Sequence, residues 1–203
     1  SHEIRNPLGS IELMVTLLQE DFADDPHHGD ILKRIRSSVN NMNHTVTNIL
    51  LYTKEIHPER SGIDIEDLVH QAESMALELM IKKKIKVIKQ LTDFPFSGDF
   101  ELLKQCLANI LINSAQAVEQ NGQIEIKSEP DDAKKHVTFS IKDNGTGIPE
   151  EMQEKIFKPF FTTKNTGTGL GLAMVKRVIE AHNGQIRFTT GKDGTTFFIV
   201  LPL

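Results

Sequence analysis

Two asparagines four residues apart, Asn109 and Asn113, stand in the otherwise apolar run Asn109-Ile110-Leu111-Ile112-Asn113. In a helix that spacing places both on one face. A buried amide needs partners, since an unpaired one costs about 1–3 kcal/mol. As hard oxygen donors, amides suit Mg²⁺, which keeps several waters and is shared with substrate phosphates. A helix cap or a core amide network is the other reading of the pair. Asp143 opens Asp143-Asn144-Gly145-Thr146-Gly147-Ile148-Pro149 directly after a predicted strand. A carboxylate held at a strand end can accept a hydrogen bond from an adenine amino group, and Gly145 and Gly147 allow close backbone approach. The same segment also reads as a plain turn. A third segment, Gly167-Thr168-Gly169-Leu170-Gly171, runs into a predicted helix. Backbone N–H groups at the positive end of a helix dipole bind phosphate. The alternative is a flexible Gly-rich loop. The spacing matches neither the dinucleotide fingerprint nor the P-loop. Phe157, Phe160 and Phe161, just upstream, read as packing residues.

A different chemistry stands at the start of the chain. In Ser1-His2-Glu3-Ile4-Arg5-Asn6-Pro7-Leu8, the residues Ile4, Leu8, Ile11, Val15 and Leu18 follow the a/d rhythm of a packed helix. With Ile4 at d, His2 falls at b and Asn6 at f, one turn apart on the outer face. A neutral imidazole has a ring nitrogen able to attack phosphorus, although a solvated histidine would look the same by itself. Pro7 predicts a kink beside His2. The other seven histidines show no zinc-like spacing.

These residues need elements to hold them. Helix one is predicted to about Phe22, a turn over Asp24 to Gly29, and a second helix from Leu32 to about Tyr52, which together make a helical hairpin. A lone hairpin gives each apolar seam only one neighbour, so two copies forming a four-helix bundle is the expected way to bury it. The segment His57 to Gly62 reads as a linker. Beyond it, strands at Ile63–Ile65 and Ile85–Ile88 flank a helix from Glu66 to Ile81, and Phe100 to Glu119 is a strongly apolar helix. Period-two strands follow at Ile124–Ile126 and Val137–Ile141. The helix Thr168–Ala181 and two strands, Gly184–Thr189 and Thr195–Val200, complete the pattern around the turn Lys192-Asp193-Gly194. The predicted class is α+β: a helical hairpin over 1–57, then an α/β sandwich over 64–203.

Composition narrows the function classes. The 203 residues carry a net charge of −5 with scattered Lys and Arg, which offers no stripe for a nucleic-acid backbone. The single cysteine, Cys106, sits in an apolar run and reads as a buried thiol in a reducing compartment. No stretch is apolar enough for a membrane span, so no membrane contact is expected of this piece. A start inside a helical pattern, without Met or cap, suggests a fragment of a longer chain, with any sensing or membrane part outside this piece and this piece expected in the cytoplasm.

Asn109–Asn113, Asp143–Gly147, Phe157–Phe161 and Gly167–Gly171 resemble, in order and separation, the N, G1, F and G2 boxes of the histidine-kinase ATP-binding domain. Ser1 to Leu8 resembles the H box of the same family, and the chain is similar to nitrogen-regulation-type sensor histidine kinases. The resemblance implies a Bergerat-type sandwich that binds ATP through Asn109, Asn113, Asp143, Gly145, Gly147, Lys164, Gly167, Thr168, Gly169, Leu170 and Gly171. Asn113 would hold Mg²⁺, Asp143 would read adenine, and Thr162 to Thr166 would form a mobile lid. Gln116 stands where many relatives carry Lys or Arg, with Lys164 a substitute for that phosphate contact. His2 would be the phosphoacceptor, Glu3 its orienting group, and Asn6 the residue that places water for dephosphorylating a partner. A homodimer and a response-regulator receiver domain are the implied partners. The same ATP fold also serves ATPase clamps, and a kinase-dead docking scaffold is a further alternative.

Overall fold

The structure, a computed structural model, describes residues 2–22, 28–29, 31–32, 34–36, 38–39, 42, 55–131, 133, 135–164 and 167–203, without the side chains of 2–6, 8, 12 and 19–21. The chain divides into two units, Ser1–Glu55 and Ile56–Leu203.

In the first unit, helix α1 spans His2–Asp21 and contains Pro7. Val15 is buried, as are Leu32 and Val39 from the following helical residues. Ile11, Leu13, Met14, Leu17 and Leu18 remain exposed along α1, with Leu13 at 62%. Much of the described apolar surface of α1 is therefore uncovered. Most of the predicted second helix, and the turn before it, lie outside the described residues.

The second unit is a five-stranded sheet carrying helices α2 (Ile65–Lys82), α3 (Phe100–Ala117) and α5 (Gly171–Ala181). Its strands are β2 (Lys86–Leu91), β4 (Gln123–Pro130), β5 (His136–Asp143), β6 (Gln185–Gly191) and β7 (Gly194–Pro202), in the order β2-β4-β5-β7-β6. Only β2 and β4 run parallel. Two short pieces, β1 (Ser61–Gly62) and β3 (Ser97–Gly98), pair beside the sheet, and α4 is a single turn over Glu150–Gln153. The predicted strand at 63–65 is not formed: Asp64 caps α2 by accepting from the Asp67 N–H at 2.9 Å, which makes Ile65 its first residue.

Strand alternation builds the core. Ile124 and Ile126 of β4, Val137, Phe139 and Ile141 of β5, and Phe197, Ile199 and Leu201 of β7 are all buried. Against them stand Leu68, Val69, Ala72 and Ala76 of α2, Leu103, Leu107, Ile110 and Leu111 of α3, and Met174, Val175, Val178 and Ile179 of α5. Cys106 is fully buried, and that burial pushes its thiol pKa up, leaving it inert. No helix among the described residues is long and apolar enough to cross a membrane.

Candidate nucleotide site

The period-two alternation that buries Val137, Phe139 and Ile141 also carries Asp143 inward, so a carboxylate becomes the last rung of a hydrophobic ladder. Such a group needs full pairing. Its Oδ1 accepts from the Gly145 N–H at 3.0 Å and the Thr195 N–H at 3.1 Å, and its Oδ2 accepts from the Ser114 hydroxyl at 3.0 Å. Thr195 and Ser114 were not among the predicted site residues. Both follow legible patterns: Thr195 leads the inward series 195, 197, 199, 201, and Ser114 continues the 3–4 spacing of Leu103, Leu107, Ile110 and Leu111. The polar ends of two apolar stripes thus meet at Asp143.

The loop after Asp143 is keyed to the β6–β7 hairpin. Gly147 has φ +73°, and a Cβ there would sit 2.1 Å from the Gly191 carbonyl oxygen. Ile148 donates its N–H to Thr190 Oγ1 at 2.8 Å. On the other side, a Cβ on Gly145 would meet the Ala117 carbonyl at the end of α3.

Helix α3 supplies the two asparagines. Asn109 is buried and donates its amide to the Gln105 carbonyl at 2.9 Å, while its oxygen faces Gly171, the first residue of α5. Asn113, one turn on, is half-buried, and its Oδ1 accepts from Lys164 Nζ at 2.7 Å. Gln116 Oε1 accepts from the same ammonium. Lys164 is exposed as a residue, but its drawn-in ammonium is desolvated, which lowers its pKa, with nearby Lys83 adding repulsion. A neutral oxygen already holding a positive group suits Mg²⁺, which is bound by few protein oxygens plus phosphate and water.

Lys83 closes α3. Its Nζ reaches three carbonyls, of Ala115 (3.0 Å), Gln116 (2.9 Å) and Val118 (2.7 Å), in a helix whose last turn has no basic residue of its own. Nothing in Lys82-Lys83-Lys84 marks this partner, because its targets lie 32–35 residues away.

The Gly-rich segment departs from expectation in one respect: α5 begins at Gly171, three residues after the predicted Thr168. Gly169 has φ +66° and packs against Phe160, where a Cβ would lie 2.4 Å from the carbonyl carbon, so the chain turns once more before the helix starts. Gly167 donates its N–H to the Lys164 carbonyl at 3.1 Å, and Leu170 is buried. The Leu170 N–H lies 3.5 Å from Thr168 Oγ1. Among the described residues no side chain caps the start of α5, which suits it to an anion. Phe157 packs as expected, 6.0 Å from Phe188, but Phe160 is 68% exposed with φ +63°, contrary to a packing role. Residues 165 and 166 of the predicted lid lie outside the described residues.

At the far end, buried His182 ties α5 to α3. Its Nε2 accepts from the Asp99 N–H at 3.0 Å, which fixes the proton on Nδ1, 2.8 Å from the Val178 carbonyl. Asp99 is the N-cap of α3, accepting from the Leu102 N–H, and its other oxygen accepts from the Glu59 N–H. Arg60 donates to the His182 carbonyl at 2.9 Å. Burial lowers the His182 pKa, outweighing the bond to Val178.

In the first unit, the side chains of His2, Glu3 and Asn6 lie outside the described residues. Among the described residues, no group of His, Cys, Asp or Glu forms a metal cluster.

Residues 98–203 match the family of histidine kinase-, DNA gyrase B- and HSP90-like ATPases, and residues 1–57 match the His Kinase A (phospho-acceptor) domain. The chain belongs to the sensor histidine kinase family. The chain is 36% identical over its whole length to the signal transduction histidine-protein kinase AtoS of Escherichia coli strain K12, covering 34% of that protein. It is 30% identical to sporulation kinase C of Bacillus subtilis strain 168, again over its whole length and 47% of the relative. The chain thus spans about a third to a half of the length of the curated relatives it matches. Among solved structures, the catalytic domain of histidine kinase ThkA is 33% identical, covers 71% of this chain and 97% of its own, and superposes with a TM-score of 0.64. ThkA in complex with response regulator protein TrrA covers 99% of this chain and 59% of its own, with a TM-score of 0.68 at 30% identity.

Proposed function

We propose that this chain transfers the γ-phosphoryl of ATP to His2 and then passes it to an aspartate of a response regulator. Residues 1–57 act as the dimerisation and phosphotransfer domain, and residues 64–203 as the catalytic domain. The observation that carries the reading is the pairing of opposites in one unit: a buried, triply hydrogen-bonded Asp143 and an uncapped Gly-rich helix start. The first suits the amino edge of a base, the second a phosphate chain.

Asp143 accepts from the adenine amino group through lone pairs its three donors leave open. The backbone of Gly167 to Gly171 binds phosphate, with Lys164 contributing charge. Asn113, with Asn109 beside it, would hold Mg²⁺, which when bound neutralises charge developing on the phosphates. A ring nitrogen of His2 attacks the γ-phosphorus, forming a P–N bond as the P–O bond to ADP breaks, and Glu3 holds the imidazole. Asn6 places the water that hydrolyses the phosphorylated regulator, which gives the core a phosphatase activity as well. The exposed apolar face of α1 supports a homodimer formed through the hairpin.

The test is incubation with γ-labelled ATP. Acid-labile, base-stable label on the wild type and none on His2→Gln is the expected result. Release of inorganic phosphate without protein label would instead make the chain an ATPase clamp.

A further inference from the structure

The ammonium of Lys164 stands where a cation bound by Asn113 would stand. Its Nζ is 2.7 Å from Asn113 Oδ1 and also bonds Gln116 Oε1, so two neutral side-chain oxygens of one helical turn converge on a single positive group. The setting favours a cation there. Asn113 and Gln116 lie near the C-terminus of α3, the negative end of its dipole, and its last turn has no basic residue of its own. Lys83 is committed to the backbone carbonyls of that end, so it does not serve the two side-chain oxygens. The lysine that does serve them comes from the segment between Phe157–Phe161 and the Gly-rich turn, 51 residues away from Asn113 in sequence.

We propose that Lys164 is a surrogate cation: in the nucleotide-free chain it is parked on Asn113 and Gln116, and a magnesium–nucleotide complex must displace it. This rests on the reading of Asn113 as the metal-facing residue. A divalent ion and an ammonium sharing one amide oxygen would repel strongly, so the two occupy it in turn. Gln116 is then a positioning residue. It holds the lysine near the metal position and carries no charge of its own. The segment carrying Lys164 is consequently anchored when the site lacks magnesium–nucleotide and released when it binds.

Parking makes part of the population unable to bind the metal complex, and apparent affinity falls by the competent fraction. Gln116→Leu removes one of the two acceptors from an exposed position, and its melting temperature serves as the folding control. Two measurements on the full chain test the proposal. In the nucleotide-free protein, trypsin cleavage after Lys164, identified by fragment mass, is expected to be at least about threefold faster in Gln116→Leu than in the wild type. By calorimetry, the variant is expected to bind Mg²⁺ with β,γ-imido-ATP about threefold more tightly, with no gain when EDTA replaces Mg²⁺. An unchanged cleavage rate overturns the parking. A gain that persists in EDTA, or no gain at all, overturns the competition with metal. Equal affinity of the wild type with and without Mg²⁺ removes the metal-facing role of Asn113 and the displacement with it, whereas the cleavage result still decides the parking.

Discussion

The two ends of the proposed nucleotide site are built differently. At the base end, Asp143 is held by donors from α3, β7 and its own loop, and Gly147 is locked against the β6–β7 hairpin. At the phosphate end, no side chain among the described residues caps α5, and Lys164 reaches Asn113 and Gln116 from a connecting segment. The base end is therefore set by folding, while the phosphate end keeps polar capacity for a ligand. Preorganisation suits recognition of a rigid ring, and unmet N–H groups suit an anion that arrives with its own charge.

The largest expected effect is at the base end. In Asp143→Asn, one oxygen can still accept from Gly145 and Thr195, but the new amide turns donors toward Ser114 and toward an adenine amino group. ATP affinity should fall about 100-fold, ~3 kcal/mol, by calorimetry. A loss under about threefold would mean that the carboxylate does not read the base.

At the phosphate end, Asn113→Ala should remove the Mg²⁺-dependent part of ATP affinity, about tenfold, while global stability stays within about 0.5 kcal/mol because the residue is half-buried on a helix surface. Undiminished dependence on Mg²⁺ would assign the metal elsewhere. Gly169→Ala sharpens the contrast further: an alanine at φ +66° costs about 1 kcal/mol and collides with Phe160, so ATP should bind about fivefold more weakly and adenosine unchanged. Equal losses for both ligands would erase the distinction between the two ends.

The smallest effect concerns the shared foundation of both ends, His182. Its neutral ring accepts from Asp99 at the start of α3, with the Arg60 guanidinium bonded to its carbonyl and the Asp99 carboxylate engaged by Glu59 and Leu102. Because its folded pKa lies below the unfolded value of 6.5, the unfolded chain binds more protons as pH falls through that range. Stability is thus fully present above about pH 6.5 and declines below it. The melting temperature of the wild type should drop between about pH 7.5 and 5.5 more than that of His182→Gln, which retains an acceptor for the Asp99 N–H. Parallel profiles would show that the ring does not titrate with unfolding.

Much of this was legible in one dimension. The inward position of Asp143 follows from alternation through β5, and the shared face of Asn109 and Asn113 from a four-residue spacing. Boundaries were less legible: the late start of α5 depends on the left-handed backbone at Gly169 and its packing on Phe160, which no local propensity encodes. The exposure of Phe160 was missed because a Phe-rich run looks the same whether its rings point in or out.

By itself the sequence determined the residue types, their faces and their order along the chain, since helical and strand periods are local properties of the backbone. It also determined the family, through the four boxes of the ATP-binding domain together with the H box at Ser1 to Leu8, whose joint occurrence is far more specific than any one of them. Tertiary structure alone decided the partners. Ser114 and Thr195 on Asp143, Lys83 on the end of α3, His182 on Asp99 and Lys164 on Asn113 with Gln116 join residues 29 to 83 positions apart. A hydrogen bond depends on distance and angle in space, and that geometry exists only once the helices have packed on the sheet.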